Sequence, residues 1–365
     1  MEHQISQNEA KEILTQDIKH TLNTIKQSNK IRPNKEVTYS KNVFLPITHI
    51  CQNNCGYCTF KQEIKQADYI LMEENEVLSK IKQAKKLGCK EALFTFGQSP
   101  DQNQEVQRKL EKEGYDDMAD YTYHLAKTAL NKYNILPHTN MGIITRKQLK
   151  QLSQVNASMG LMLETTNKKL LKTIAHKNSP TKDPQKRLKF IKTAGQEKIP
   201  FTTGLLVGIG ETTQDHIDSL FEIRKIQDKY SHIQEIIIQG FKAKKDTPMK
   251  DHPEPPVTTL MKLTILTRLI FPDVSIQIPA NLNNNLIQEF VTCGADDVGG
   301  ISPITKDYIN PEYTWPEIGQ LKENLKNIGY TLKERLPVYD KYINKEYLDE
   351  NVYNKAIQLK KELDK

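Results

Sequence analysis

The sequence has little of what marks a membrane protein, a secreted scaffold or a nucleic-acid binder. No run of about 18 apolar residues occurs, so no membrane-spanning helix is expected. The first residues, MEHQISQNEAKEILTQ, lack the apolar stretch of a secretory leader, and a soluble, cytoplasmic protein is expected. Charge of one sign is not concentrated either. The net charge of +7 comes from lysines spread along all 365 residues, with no basic tract beside aromatics, which argues against a nucleic-acid partner. Cysteine is scarce, with five in all, and three of them crowd between positions 51 and 58. An odd count in that layout does not make a disulfide framework; it fits a metal site. Cys89 and Cys293 stand alone among apolar neighbours and read as small buried hydrophobes.

What is present is a repeating rhythm. Residues 8–30 carry Ile13, Leu14, Ile18, Leu22 and Ile25 at helical spacing, with Pro33 closing the segment, and predict one N-terminal helix. From Val43 onward short apolar runs alternate with amphipathic stretches: NVFLPITHI, a helix through Val77, Leu78, Ile81 and Ala84 ending at Gly88, then EALFTFG. Further strands are expected at Ile135–Ile144, Ala157–Thr165, Phe201–Gly208, Ile233–Gln239 and Val274–Ile278. Thr145, Asp183 with Pro184, and Thr258 stand as helix starts. A run of such units argues for an α/β fold, a parallel sheet closed or partly closed into a (β/α) barrel, whose chemistry collects at the C-terminal ends of the strands. The chain divides on this reading into an N-terminal helical extension (1–40), a core barrel (41–285) and a C-terminal cap with helices (286–365), the cap containing DDVGGISPITKDYINPEYTWP from Asp296.

The strongest chemical signal is Cys51-Gln52-Asn53-Asn54-Cys55-Gly56-Tyr57-Cys58, directly after the first expected strand. Gly56 permits a tight backbone path, and three thiolates from so short a loop can converge on one iron–sulfur cluster. A cubane held by three cysteines keeps one iron without a protein thiolate, as catalytic metal sites keep a position for substrate. From the cysteines alone, a zinc site completed by His49 or by a distant ligand stands as the alternative.

With Tyr57 just before the third cysteine, the CxxxCxxC run resembles the signature of radical S-adenosylmethionine (SAM) enzymes. The resemblance implies a radical SAM partial barrel with a [4Fe–4S] cluster on Cys51, Cys55 and Cys58. The remaining iron would chelate the amino and carboxylate groups of SAM, with Tyr57 near the adenine. Phe96-Gly97-Gln98 stands where that family has Gly-Gly-Glu, which helps hold the methionine amino group; Gln98 in place of the acid leaves backbone contacts. The stretch from Gly204 through Gly208 to Glu211, GLLVGIGE, resembles the family's GxIxGxxE motif, whose backbone contacts adenine. Glu164 in LMLETT and Arg187 on the next helix match a pair used around the ribose and methionine ends of SAM. For Arg187, a solvated helix face is the other reading.

Beyond the superfamily, residues from about Val43 to Trp315 resemble the first subunit (CofG) family of 7,8-didemethyl-8-hydroxy-5-deazariboflavin (FO) synthase. The match is carried by FLPITHICQNNCGYCTF, EALFTFGQSPD, LMLETT, PFTTGLLVGIGET and GADDVGGISPITKDYINPEYTWP. It implies a carbon–nitrogen lyase of coenzyme F420 biosynthesis. Such an enzyme closes 5-amino-5-(4-hydroxybenzyl)-6-(D-ribitylimino)-5,6-dihydrouracil into FO, releasing ammonia, with SAM consumed to 5′-deoxyadenosine and methionine. The implied partners are the second FO synthase subunit (CofH type), directly or through its diffusible product, and a reductant such as ferredoxin or flavodoxin. Two other classes compete with this reading. One is another radical SAM enzyme of the same barrel: the second subunit, a menaquinone-pathway enzyme or a biotin-synthase-like enzyme. The other is a zinc- or cluster-stabilised binding protein without turnover.

Overall fold

Strands buried on both faces favour uncharged, mostly apolar side chains, and FTTGLLV carries no charge: all seven residues of Phe201–Val207 are buried, two of them threonines. In the computed structural model, which describes residues 5–31 and 34–364, nine strands form one sheet. They are β1 (Glu36–Thr48), β2 (Glu91–Phe96), β3 (Leu136–Asn140), β4 (Ser158–Gly160), β5 (Phe201–Val207), β6 (Ile233–Gly240), β7 (Ser275–Gln277), β8 (Asp297–Ile301) and β9 (Thr331–Arg335). Strands β1 to β8 run parallel in sequence order, and β1 pairs with both β2 and β8, so the ring of eight closes. The seam is thin at β7, which meets β8 through Gln277 and Asp297. The α/β barrel expected from the sequence is the fold observed, with helices packed outside it.

Helix starts follow local chemistry. Thr145 caps the helix Arg146–Ser153 in a reciprocal box with Gln148. Asp183 caps Pro184–Gln196, with Pro184 at its first turn. The helix expected from Thr258 begins earlier, at Val257, following a Pro256 that makes no side-chain cap. The single N-terminal helix is in fact two, Gln7–Thr15 and Ile18–Ile31, the first opened by a Ser6–Glu9 capping box. Lys262 on the helix Val257–Ile270 donates to the carbonyl of Gln16 at 2.6 Å, fastening the break between them to the barrel. Pro33 lies outside the described residues.

Two strands fall in the stretch expected to be cap. The sequence of β8, DVGGI, has two glycines and little strand propensity; its place is set by its neighbours. Strand β9 pairs along the first half of β1, from Glu36↔Thr331 to Ser40↔Arg335, below the level where β2 joins. The chain then crosses the N-terminal end of the barrel. The Pro337 carbonyl accepts from Ser158 and Gln234, the Tyr342 hydroxyl donates to the Ile233 carbonyl, and Leu336, Val338 and Tyr342 pack on Leu130, Leu136 and Ala157. Arg335 enters the barrel from this plug and bonds both Asp297 on β8, at 2.5 Å, and Glu235 on β6, at 2.7 Å. One end of the barrel is thereby sealed, and the site sits at the other.

Candidate active site

The loop after β1 is pinned by three other strand ends. The Gln98 N–H, after β2, donates to Cys51 Sγ at 3.1 Å, while the Gln52 N–H donates to the Gln98 carbonyl at 2.9 Å. The segment after β4 receives the Asn54 and Gly56 N–H groups on the carbonyls of Asn178 and Ala175. The Met249 N–H, after β6, donates to the Gly56 carbonyl at 3.0 Å. Glycine is required twice. A Cβ at Gly56 would come within 2.2 Å of the Ile174 carbonyl oxygen, and one at Gly97 within 2.6 Å of Cys51 Sγ. Cys51, Cys55 and Cys58 are all half-buried, and all face one cavity of about 260 Å³ at the C-terminal ends of the strands.

Those thiols fit a cluster better than a single ion. Among the described residues no three His, Cys, Asp or Glu side chains stand close enough to hold one metal ion, whereas a cubane takes one thiolate per iron and tolerates a wider triangle. His49 does not complete a zinc site. Its Nδ1 is 2.8 Å from the Phe60 carbonyl, and its ring packs among Phe60, Tyr69 and Tyr308. Cys89 and Cys293 are fully buried away from the cavity, and burial pushes their thiols up to about 11 and about 12.

Most of the residues picked from the sequence meet here. Tyr57, Gly97, Gln98, Glu164 and Arg187 line the cavity with the cysteines. The Gln98 side chain is spent on structure, its amide pairing with both the N–H and the carbonyl of Ile143 at 2.9 Å, so only its backbone faces the loop. Glu164 sits at φ 67°, a conformation uncommon for a side-chain-bearing residue. Its neighbours are Lys182 Nζ at 2.5 Å and Arg187 at 4.0 Å. Burial alone would raise the Glu164 carboxyl, but the two cations outweigh it and hold the group below its usual value. Arg187 is 4% exposed and donates to the carbonyls of Thr181 and Met162, so the solvated-face reading fails.

Gly204, Gly208 and Glu211 do not reach the cavity wall. Gly204 lets β5 and β6 approach, since a Cβ there would lie 2.2 Å from the Ile237 carbonyl oxygen. Gly208, at φ 98°, packs on Pro255. Glu211 is buried beneath that turn, accepting from the N–H groups of Gly208 and Ile209. Of the motif, Leu206 lines the cavity, while Gly208 and Glu211 build a rigid turn behind that wall.

Sequence reasoning missed Lys182 and His176. Lys182 Nζ lies 5.7 Å from the Tyr57 ring centre, and His176 Nε2 lies 3.1 Å from the Tyr57 hydroxyl. Burial, with Lys182 adding to it, lowers the His176 pKa to about 3, leaving a neutral ring able to accept the phenol proton. Nothing in SPTKDP distinguishes Lys182 from the other lysines. The 302–315 loop closes over the mouth: the Ile309 carbonyl accepts from Thr59 Oγ1 and Lys244 Nζ, and Asp307 accepts from Asn281 and Asn310. Ile309 and Asn310 join the wall.

Comparison with known proteins agrees with this geometry. Residues 45–223 match the model of the radical SAM superfamily. The methylornithine synthase PylB shares the fold with a TM-score of 0.71 at 18% identity, over 91% of this chain and 95% of that one. The hydrogenase maturase HydG of Carboxydothermus hydrogenoformans does so with a TM-score of 0.76 at 16% identity, over 98% and 86%. Fold and site together define a radical SAM enzyme, a class that uses a [4Fe–4S] cluster and SAM, and a small-molecule substrate fits the cavity. Two relatives are much nearer, both 7,8-didemethyl-8-hydroxy-5-deazariboflavin synthases. The protein of Methanocaldococcus jannaschii is 50% identical over 93% of this chain and 94% of its own. That of Methanothermobacter thermautotrophicus is 49% identical over 88% and 98%. The chain belongs to the 7,8-didemethyl-8-hydroxy-5-deazariboflavin synthase family. Among the described residues no helix is long and apolar enough to cross a membrane.

Proposed function

We propose that this chain closes 5-amino-5-(4-hydroxybenzyl)-6-(D-ribitylimino)-5,6-dihydrouracil into the deazaflavin FO with loss of ammonia. The observation that carries the reading is the convergence of three half-buried thiols from one loop on a cavity walled by family-matched residues. Cys51, Cys55 and Cys58 would hold the cluster, which when bound supplies the electron that cleaves SAM to methionine and the 5′-deoxyadenosyl radical. Tyr57, Gly97 and the backbone of Gln98 then border SAM, and the Glu164 carboxylate, kept charged by Lys182 and Arg187, is the acceptor for its hydroxyl or ammonium donors. Leu161, Leu206, Phe241 and Ile309 give the cavity apolar walls that keep water from a reactive carbon centre. A CofH-type subunit would supply the coupled substrate, and a ferredoxin or flavodoxin the electron. One SAM pocket positions one target atom at the 5′ carbon, so coupling and ring closure call for separate sites. The test combines the anaerobically reconstituted chain with SAM, reductant and the partner's adduct, following deazaflavin fluorescence and 5′-deoxyadenosine. FO should form only when the adduct is supplied. FO from tyrosine and the ribitylaminouracil without the partner, or none with authentic adduct, overturns the assignment.

A further inference from the structure

The cavity does not end at the cysteines. It runs down inside the barrel, and its lower wall is a polar belt built by strand register. Thr95 on β2 stands opposite Asn140 on β3, Asn140 opposite Gly160 on β4, and Gly160 opposite Thr202 on β5. All four line the cavity, together with Gln239 on β6. Along β5, Leu206 of the upper wall and Thr202 of the lower are four residues apart, about 13 Å of extended strand.

These side chains have hydrogen-bonding capacity that the protein does not use. The Thr95 hydroxyl is buried with no partner. The Gln239 amide and the Asn140 Nδ2 bond to nothing among the described residues. Thr202 Oγ1 donates to Glu235 at 3.1 Å and keeps its lone pairs. Gly160 keeps the space open, since a Cβ there would lie 2.3 Å from Asn140 Oδ1. Buried polar groups are normally paired; the Thr95 hydroxyl is not, and with the spare capacity of half-buried Asn140 and Gln239 and of Thr202 around the same cavity it points to a ligand that completes them. The belt is neutral, and the charged groups beneath it, Arg335 with Glu235 and Asp297, are engaged with one another and with neighbouring donors. Neither an anion nor a metal ion finds its complement there. A chain with a hydroxyl on each carbon does, because every hydroxyl both donates and accepts.

We propose that Thr95, Asn140, Thr202 and Gln239 form a subsite for a polyhydroxyalkyl chain, which under the function proposed above is the ribityl arm of the substrate. The ring system then lies above it, between the apolar walls and the cysteine loop.

The test compares the ribityl adduct with an analogue carrying ethyl in place of ribityl, on cluster-loaded wild-type enzyme and on Thr95→Val and Gln239→Leu. Thr95→Val removes a hydroxyl that has no protein partner, so folding should be untouched. Wild type should show a KM about 100-fold higher for the ethyl compound, several hydroxyl contacts being lost together. Each variant should raise KM for the ribityl compound about tenfold, leave it unchanged for the ethyl compound, and keep wild-type iron content and SAM binding. Equal wild-type KM values for the two compounds would remove the subsite and leave the proposed reaction standing. The same would follow if a variant lost equally on both. No cyclised product from either compound, with the cluster intact and SAM cleaved, would remove the reaction and the subsite together. Should either variant fail to hold iron, the wild-type comparison still decides.

Discussion

Arg335→Met tests how the barrel is sealed. The arginine side chain, 12% exposed, serves two carboxylates, Asp297 at 0% and Glu235 at 6% exposure. Removing it leaves both buried with neutral donors only: Thr38 and the Gly299 N–H for Asp297, Tyr339 and Thr202 for Glu235. Breaking a buried pair in this way costs about 3–5 kcal/mol, a large share of the roughly 5–15 kcal/mol that stabilises a folded domain. With urea slopes of about 1–3 kcal/mol per molar, the unfolding midpoint should fall by about 1 M or more. The loss should also depend on pH. Burial pushes Glu235 from its usual 4.5 up to about 7, with Arg335 opposing and Asp297 adding to the rise. A carboxyl raised on folding contributes stability that is fully present below its unfolded value and lost as pH rises through about 7. Without Arg335 the carboxyl rises further, so the deficit of the variant should be largest near pH 8 and shrink toward pH 5. Urea titrations followed by circular dichroism at both ends of that range measure it. A deficit under about 1 kcal/mol at pH 8, or one independent of pH, would refute the account.

Two further outcomes follow from the site. Cys51→Ala, Cys55→Ala and Cys58→Ala should each abolish cluster assembly and SAM cleavage, while Cys89→Ala and Cys293→Ala retain both; iron analysis after anaerobic reconstitution decides, and full iron on Cys55→Ala would break the assignment. Gly208→Val, which the motif alone would cast as a block to adenine, should instead lower the yield of folded protein. Its Cβ would lie 2.6 Å from Pro255 Cδ at a φ of 98°, and a well-folded variant with weakened SAM binding would return the glycine to the ligand site.

Much of the molecule was legible in the chain because its signals are local. A CxxxCxxC loop carries its own spacing, and buried parallel strands announce themselves as short apolar runs between amphipathic helices. Capping residues at Thr145 and Asp183 marked helix starts because a cap acts within three residues. The closure of the barrel was less visible. β8 has a glycine-rich sequence and owes its strand to β1 and β7, and β9 owes its own to the lower half of β1.

The sequence by itself determined the cysteine loop, the alternation that folds into a barrel, and the family-matched stretches around them. Tertiary structure alone decided what each charged or small residue does there. It set Lys182 beside Glu164, buried Arg187, turned His49 away into an aromatic cluster, moved Gly204, Gly208 and Glu211 behind the wall, and drove Arg335 into the sealed end. The physical reason is range. Propensity, capping and loop spacing act over a few neighbouring residues, whereas a lysine among many becomes a site residue only when desolvation and a carboxylate from another strand meet it in space.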